Sequence, residues 1–157
     1  MKKSILILLV TLVLGLFSCK QNETAKVSEE EKQAVNQRIT DITTGFEKTE
    51  SGLWYKIISK GTGKKPEKGQ TVSVHYKGSL LDGTEFDSSY KRNQPILFSL
   101  GKANVIAGWD EGVALLNVGD KARFVIPSSL AYGTKGAGRV IPPNATLIFD
   151  VELINVN

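Results

Sequence analysis

Thr71-Val72-Ser73-Val74-His75-Tyr76-Lys77-Gly78-Ser79-Leu80-Leu81 sets Val72, Val74 and Tyr76 on one face of an extended chain and Ser73, His75 and Lys77 on the other. That two-residue period is the mark of a half-buried strand. Asp82-Gly83 follows at once and is a strong hairpin signal. Before it, Leu53 to Ser59 carries Trp54, Tyr55, Ile57 and Ile58 and is broken by Gly61-Thr62-Gly63 and Pro66. After it, Phe86 and Ile96 to Leu100 continue the sheet, and Lys121 to Ile126 and Thr146 to Val156 supply further strands. Val105 to Leu116, closed by Gly119, is the one helical stretch of this region, and Gly133 to Asn144 reads as an exposed flap rich in Gly and Pro. Strands that outnumber one short helix predict an α+β domain with an antiparallel sheet wrapped over that helix.

The start of the chain has a different character. Met1-Lys2-Lys3 is basic, and Ile5 to Phe17 is an almost unbroken apolar run. About thirteen residues cannot span some 30 Å of hydrocarbon as a helix, but they match the core of a signal peptide. The run ends in Leu16-Phe17-Ser18-Cys19, which resembles a bacterial lipoprotein cleavage box. That resemblance implies an acylated Cys19 as the first mature residue and an anchor in the cell envelope. Lys20 stands where inner-membrane retention signals carry Asp, which points to the outer membrane facing the periplasm. The alternative is an ordinary signal peptide with a cysteine near its end. Cys19 is the chain's single cysteine, so no intrachain disulfide can form. Loss of Lys2 and Lys3 with the leader lowers the formal charge from +4 to about +2, a balance that does not call for nucleic acid.

Lys20 to Ser51 is polar. Ser28-Glu29-Glu30-Glu31 fits a capping box with Ser28 as N-cap, and Val35, Ile39, Ile42 and Phe46 recur at helical spacing. One thin apolar stripe suits a spacer better than a dimer seam, so the protein is expected to be monomeric. The organisation read from the sequence is therefore a leader over 1–18, a lipid-anchored tether with a short helix over 19–51, and a folded domain over 52–157.

Several chemistries are poorly supported. A single histidine, His75, cannot build a two-histidine zinc site, and there is no second cysteine to help. Its strand phase puts it opposite Tyr76, toward solvent or a neighbouring strand, and leaves it poorly placed as the base of a hydrolase. Gly133, Gly136 and Gly138 suggest a phosphate loop only superficially, because Pro142-Pro143 intervenes before any helix could begin.

Five segments in order carry a family resemblance: Val74 to Gly78, Asp82 to Ser89, Val105 to Gly112, Ala131-Tyr132-Gly133, and Ile141 to Asp150. Together, over roughly Gly52 to Asn155, they resemble the FKBP family of peptidyl-prolyl cis–trans isomerases. The resemblance implies a half-barrel of five or six antiparallel strands with the helix in its concavity. It implies a catalyst of Xaa-Pro isomerisation that needs no cofactor or metal, acts on proline-containing unfolded or partly folded exported polypeptides, and takes macrolide inhibitors such as rapamycin. A peptide-binding chaperone module without turnover, or a structural envelope protein with an incidental pocket, are the alternatives of other classes.

Carried over residue by residue, the resemblance makes Trp109 the pocket floor, with Tyr76, Phe86, Val105, Ile106 and Phe149 as walls. It gives the Ile106 backbone N–H a substrate carbonyl to hold and the Tyr132 hydroxyl the carbonyl preceding proline. Asp87 would orient polar groups at the rim, Arg92 would pair near Asp87 or Tyr76, and Val140 and Ile141 would make the flap contact. Ile96 stands where the best-known members carry a phenylalanine wall, and Ala137 where they carry a histidine at the flap tip. Read without the family, the same aromatics would fit a plain core.

Overall fold

The computed structural model describes residues 28–157, so the leader and Cys19 lie outside the described residues. Residues 28–42 form helix α1. Ser28 is already helical there, so the cap expected at that position is not formed by it as N-cap. Lys32 donates to Glu29 at 2.7 Å and Gln37 to Asp41 at 2.8 Å, the three- and four-residue spacings that face each other on a helix. Phe46 was expected to extend the stripe, but the helix stops at Ile42 and Phe46 follows a turn closed by its own N–H on the Thr43 carbonyl, 2.9 Å. Gly45, at φ 75°, supplies the left-handed residue that this turn needs.

A second compact unit runs from Thr43 to Asn157. Its strands are β1 (Glu47–Lys48), β2 (Trp54–Ser59), β3 (Thr71–Leu80), β4 (Glu85–Ser88), β5 (Ile96–Ser99), β6 (Lys121–Ile126) and β7 (Leu147–Val156), with helix α2 (Ala107–Val113) between β5 and β6. They form one seven-stranded sheet in the order β1-β2-β6-β7-β3-β4, with β5 also on β3. Every pairing is antiparallel. β4 takes the Lys77–Ser79 part of β3 and β5 the Thr71–Val74 part, so two short strands share one edge. The expected antiparallel sheet over a short helix is what forms. β1 is the addition: it pairs Glu47 with Tyr55 and Lys48 with Trp54. The folded unit therefore starts before the boundary expected at Gly52, because two polar edge residues carry no apolar alternation by which to see them.

β7 shows the alternation plainly, with Leu147, Phe149, Val151 and Leu153 buried in the same core as Val72, Val74 and Tyr76 of β3. Trp109 and Val113 of α2 join that core with Leu116. The helix is shorter than the Val105–Leu116 expected. Ile106 is its extended N-cap residue, with φ −60° and ψ 148°. At the other end Leu115 and Leu116 bond back three residues, to Gly112 and Val113 at 3.1 Å each, which tightens the last turn.

Candidate active site

Against the inner face of the sheet lies a cavity of about 290 Å³ lined by Tyr76, Phe86, Asp87, Ile96, Asn104, Val105, Ile106, Trp109, Tyr132 and Phe149. The volume is the size of a small side chain with its flanking peptide groups. Trp109 is 4% exposed and meets Tyr76 edge-on, with ring centroids 5.0 Å apart at 86°, and Phe149 at 5.3 Å and 85°. Phe86 stands perpendicular to Phe149 at 5.5 Å. Edge-to-face pairs of this kind hold one another at fixed angles and leave flat faces free for a guest.

Gly78 makes the wall possible. A Cβ there would stand 2.7 Å from Phe86 and 2.8 Å from Phe149, so only glycine lets both rings reach the cavity. Phe98, behind the floor at 5.8 Å from Trp109, completes the aromatic set without lining the cavity.

One edge is polar. The Tyr76 hydroxyl donates to Asp87 Oδ2, Arg92 Nη1 donates to Asp87 Oδ1, and Arg92 Nη2 donates to the Tyr76 oxygen at 2.9 Å. The Ser88 N–H adds 2.8 Å to Asp87 Oδ1. Burial alone would push the Asp87 carboxyl up, but Arg92, the Tyr76 hydroxyl and the Ser88 amide outweigh it and hold the group below its ordinary value. Burial, with the bond to Asp87, pushes the Tyr76 phenol up, against a smaller opposing pull from Arg92.

Three donors are left over, and one of them is the buried Trp109 Nε1–H of the floor itself. The Ile106 N–H, just ahead of α2, has no acceptor among the described residues. The Tyr132 hydroxyl, on a residue 41% exposed, likewise has no partner among them. The loop leading to Ile106 is held by Asp110, whose carboxylate accepts the Gly101 N–H at 2.9 Å and the Ala103 N–H at 3.0 Å. Ala103 has a left-handed φ of 55°, so this clamp offsets real backbone strain.

Nine of the residues singled out from the sequence line one cavity. Arg92 does not line it but contacts both Asp87 and Tyr76, where either one was expected. Val140 and Ile141 are not part of the lining: Val140 is 57% exposed, and Ile141 is 7% exposed within the core. The reason is the backbone bridge of Ala137 to Ile141, with N–H to O distances of 2.9 and 3.1 Å, which turns Ile141 inward. His75 is half-buried on the other face of β3, stacked on Tyr90 at 4.8 Å. Asn104, Asp110 and the packing role of Gly78 were not foreseen. Asp110 does have a sequence-level signal, an acidic residue in the first turn of a helix.

Residues 62–154 match the family model for FKBP-type peptidyl-prolyl cis-trans isomerase. The chain is 53% identical over 110 residues to FK506-binding protein 2 of Yarrowia lipolytica, covering 70% of this chain and 76% of that protein. It is 45% identical over 151 residues to FKBP-type peptidyl-prolyl cis-trans isomerase FkpA of Aeromonas hydrophila, covering 92% of this chain and 55% of that longer protein. The crystal structure of FkpA from Escherichia coli superposes with a TM-score of 0.70 at 38% identity, over 94% of this chain and 71% of that one. The chain belongs to the FKBP-type peptidyl-prolyl cis-trans isomerases, and it is an enzyme of that activity.

The shifts in the polar edge fix a pH dependence. Asp87, held below its ordinary value, keeps its charge and its contribution to stability above the unfolded carboxylate value, and loses both as pH falls through the lower folded value. Tyr76, raised, keeps its proton through neutral pH and beyond its ordinary value of 10.0. Neither group changes state between about pH 5.5 and 8. The kcat/KM for an Xaa-Pro peptide is expected to be flat over that range and unchanged by EDTA. A tenfold limb centred near pH 6–7 would show that a proton transfer has been overlooked.

Proposed function

We propose that this chain is an envelope lipoprotein that accelerates Xaa-Pro isomerisation during the folding of exported proteins, by holding the prolyl bond in a dry aromatic pocket. The observation that carries the catalytic reading is the perpendicular packing of Tyr76 and Phe149 on Trp109, and of Phe86 on Phe149, along one cavity of about 290 Å³. A peptide bond resists rotation by about 18–20 kcal/mol because resonance gives its C–N bond double-bond character. Twisting removes that resonance and leaves the carbonyl less polar. A pocket that withholds water therefore penalises the planar amide more than the twisted one, which is differential binding of the transition state.

The remaining roles follow from position. Trp109 lies under the prolyl ring, and Val105, Ile106 and Ile96 flank it. The unpaired Ile106 N–H holds a substrate carbonyl. The Tyr132 hydroxyl donates to the carbonyl before proline, and Asp87, braced by Arg92, orients polar groups at the rim. The apolar wall favours apolar residues before proline. The FKBP family binds proline-containing peptides and macrolides, and the same wall supports rapamycin-like ligands here. Ile96, smaller than an aromatic ring, argues for weaker macrolide binding than a phenylalanine at that place would give.

The anchor rests on the leader pattern ending in Ser18-Cys19. Attachment would come from the acyl chains on Cys19; among the described residues no helix is long and apolar enough to cross a membrane. One chain gives only marginal binding, whereas two or more make it stable. Residues 20–42 then act as a spacer for a monomeric catalytic unit.

Purified Lys20–Asn157 is expected to speed a protease-coupled Xaa-Pro assay above the uncatalysed rate, which takes tens of seconds, and rapamycin is expected to suppress that gain. Cleavage at the thermal rate would remove the enzymatic reading. For the anchor, Cys19→Ser is expected to shift the protein from the membrane to the soluble fraction or leave its leader uncut. Equal membrane retention of both forms after a carbonate wash would rule the lipid out.

A further inference from the structure

The ladder between β3 and β4 runs Gly78 opposite Asp87 and Lys77 opposite Ser88, so the next rung is Tyr76 opposite Ser89. In an antiparallel ladder every second pair exchanges two backbone bonds, and the Ser89 N–H on the Tyr76 carbonyl marks this rung as one of them. Only one is made in the ordinary way: the Ser89 N–H donates to the Tyr76 carbonyl at 3.0 Å. The Ser89 carbonyl has turned away to accept the N–H groups of Arg92 and Gln94, each at 3.2 Å. The Tyr76 N–H donates instead to the Ser89 side-chain oxygen at 2.7 Å.

We propose that Ser89 is a positioning residue for the isomerase pocket: its hydroxyl stands in for its own carbonyl opposite Tyr76. That substitution frees the carbonyl to close the turn that brings Arg92 back onto Asp87 and Tyr76. Ser89 is 0% exposed, so no water is available to do the same service. Its oxygen is also 3.1 Å from the Tyr76 carbonyl and 2.9 Å from His75 Nδ1. A hydroxyl has one proton and two lone pairs. When the His75 nitrogen accepts, Ser89 gives its proton to the ring. When it donates, Ser89 gives its proton to the Tyr76 carbonyl. In both cases a lone pair remains for the Tyr76 N–H, so the support is independent of the state of His75.

Without the hydroxyl, the Tyr76 N–H reverts to the ordinary ladder partner, the Ser89 carbonyl. Taking it opens the turn and withdraws Arg92 from Asp87. Ser89→Ala and Arg92→Ala should therefore damage the site by the same route. This rests on the isomerase pocket described above, so the test has one arm that reads catalysis and one that does not.

The kcat/KM for a neutral Xaa-Pro peptide is measured for the unmodified chain, Ser89→Ala, Arg92→Ala and the double variant, with thermal melts to confirm folding. If Ser89→Ala does not fold, Ser89→Cys replaces it, since a thiol is of similar size and a weak acceptor. Each single variant is expected to lose about tenfold, the scale of one hydrogen bond to a charged group, and the double variant no more than about twofold beyond the worse single. Losses that multiply, or an unimpaired Ser89→Ala, would overturn the proposal. In parallel the Asp87 carboxyl is titrated by carbon-13 NMR. Its pKa is expected to rise in Ser89→Ala as it does in Arg92→Ala, and an unshifted Asp87 in Ser89→Ala would overturn the proposal whether or not the peptide is turned over.

Discussion

The pocket exists because helix α2 can press its backbone against the sheet. A Cβ at Gly108 would stand 2.5 Å from Ile126 Cγ2, and one at Gly112 would stand 2.8 Å from the ring of Phe124. Phe124 and Ile126 are fully buried, so neither can move aside without leaving its own packing. The close approach of these two glycines lowers Trp109 onto Tyr76 and Phe149, and it leaves Ile106 ahead of the helix with its N–H unspent. A helix one side chain further out would lift the floor and open the cavity to water. Gly78 repeats the device on the wall, where a missing side chain lets Phe86 and Phe149 meet.

Given that frame, apolar and polar parts of the site contribute on different scales. Each 1.36 kcal/mol removed from a barrier is a factor of ten in rate. One neutral hydrogen bond is worth about 0.5–1.5 kcal/mol net, so the Tyr132 hydroxyl can supply about tenfold at most. On the proposed mechanism the aromatic surfaces would exclude water from the whole prolyl amide, and burying even one aromatic side chain is worth about 1.5–3 kcal/mol. The polar edge serves the wall: Asp87 and Arg92 hold the Tyr76 ring by its hydroxyl, so that its face stays toward the guest.

What could be read from the residues followed the strength of the local signal. The alternation of Val72, Val74 and Tyr76 and the Asp82-Gly83 turn placed β3 and the hairpin after it, because a period of two is visible over ten residues. β1 was not visible, since Glu47 and Lys48 form an edge of only two residues with no buried face. The ends of α2 were misjudged because Ile106, Leu115 and Leu116 are apolar in any case, and their burial does not require them to be helical. Most of the cavity lining was legible through the family resemblance, but Val140 and Ile141, expected at the flap contact, stand outside the lining, because a backbone bridge decides which way a flap residue faces. Ser89, Asp110 and Asn104 escaped notice for a related reason: their parts depend on loop geometry, which Ser, Asp and Asn adopt in many turns without consequence.

The measurement closest to the central claim compares Phe86→Ala with Tyr132→Phe on one Xaa-Pro peptide, each with its melting temperature recorded. If exclusion of water by the aromatic wall drives the reaction, Phe86→Ala lowers kcat/KM by more than about tenfold while the protein stays folded at the assay temperature. Tyr132→Phe then loses less than about tenfold, as one hydrogen bond allows. A Tyr132→Phe enzyme that is inactive beside a Phe86→Ala enzyme of nearly full activity would contradict the account, and would place catalysis in the hydrogen bond instead of the wall.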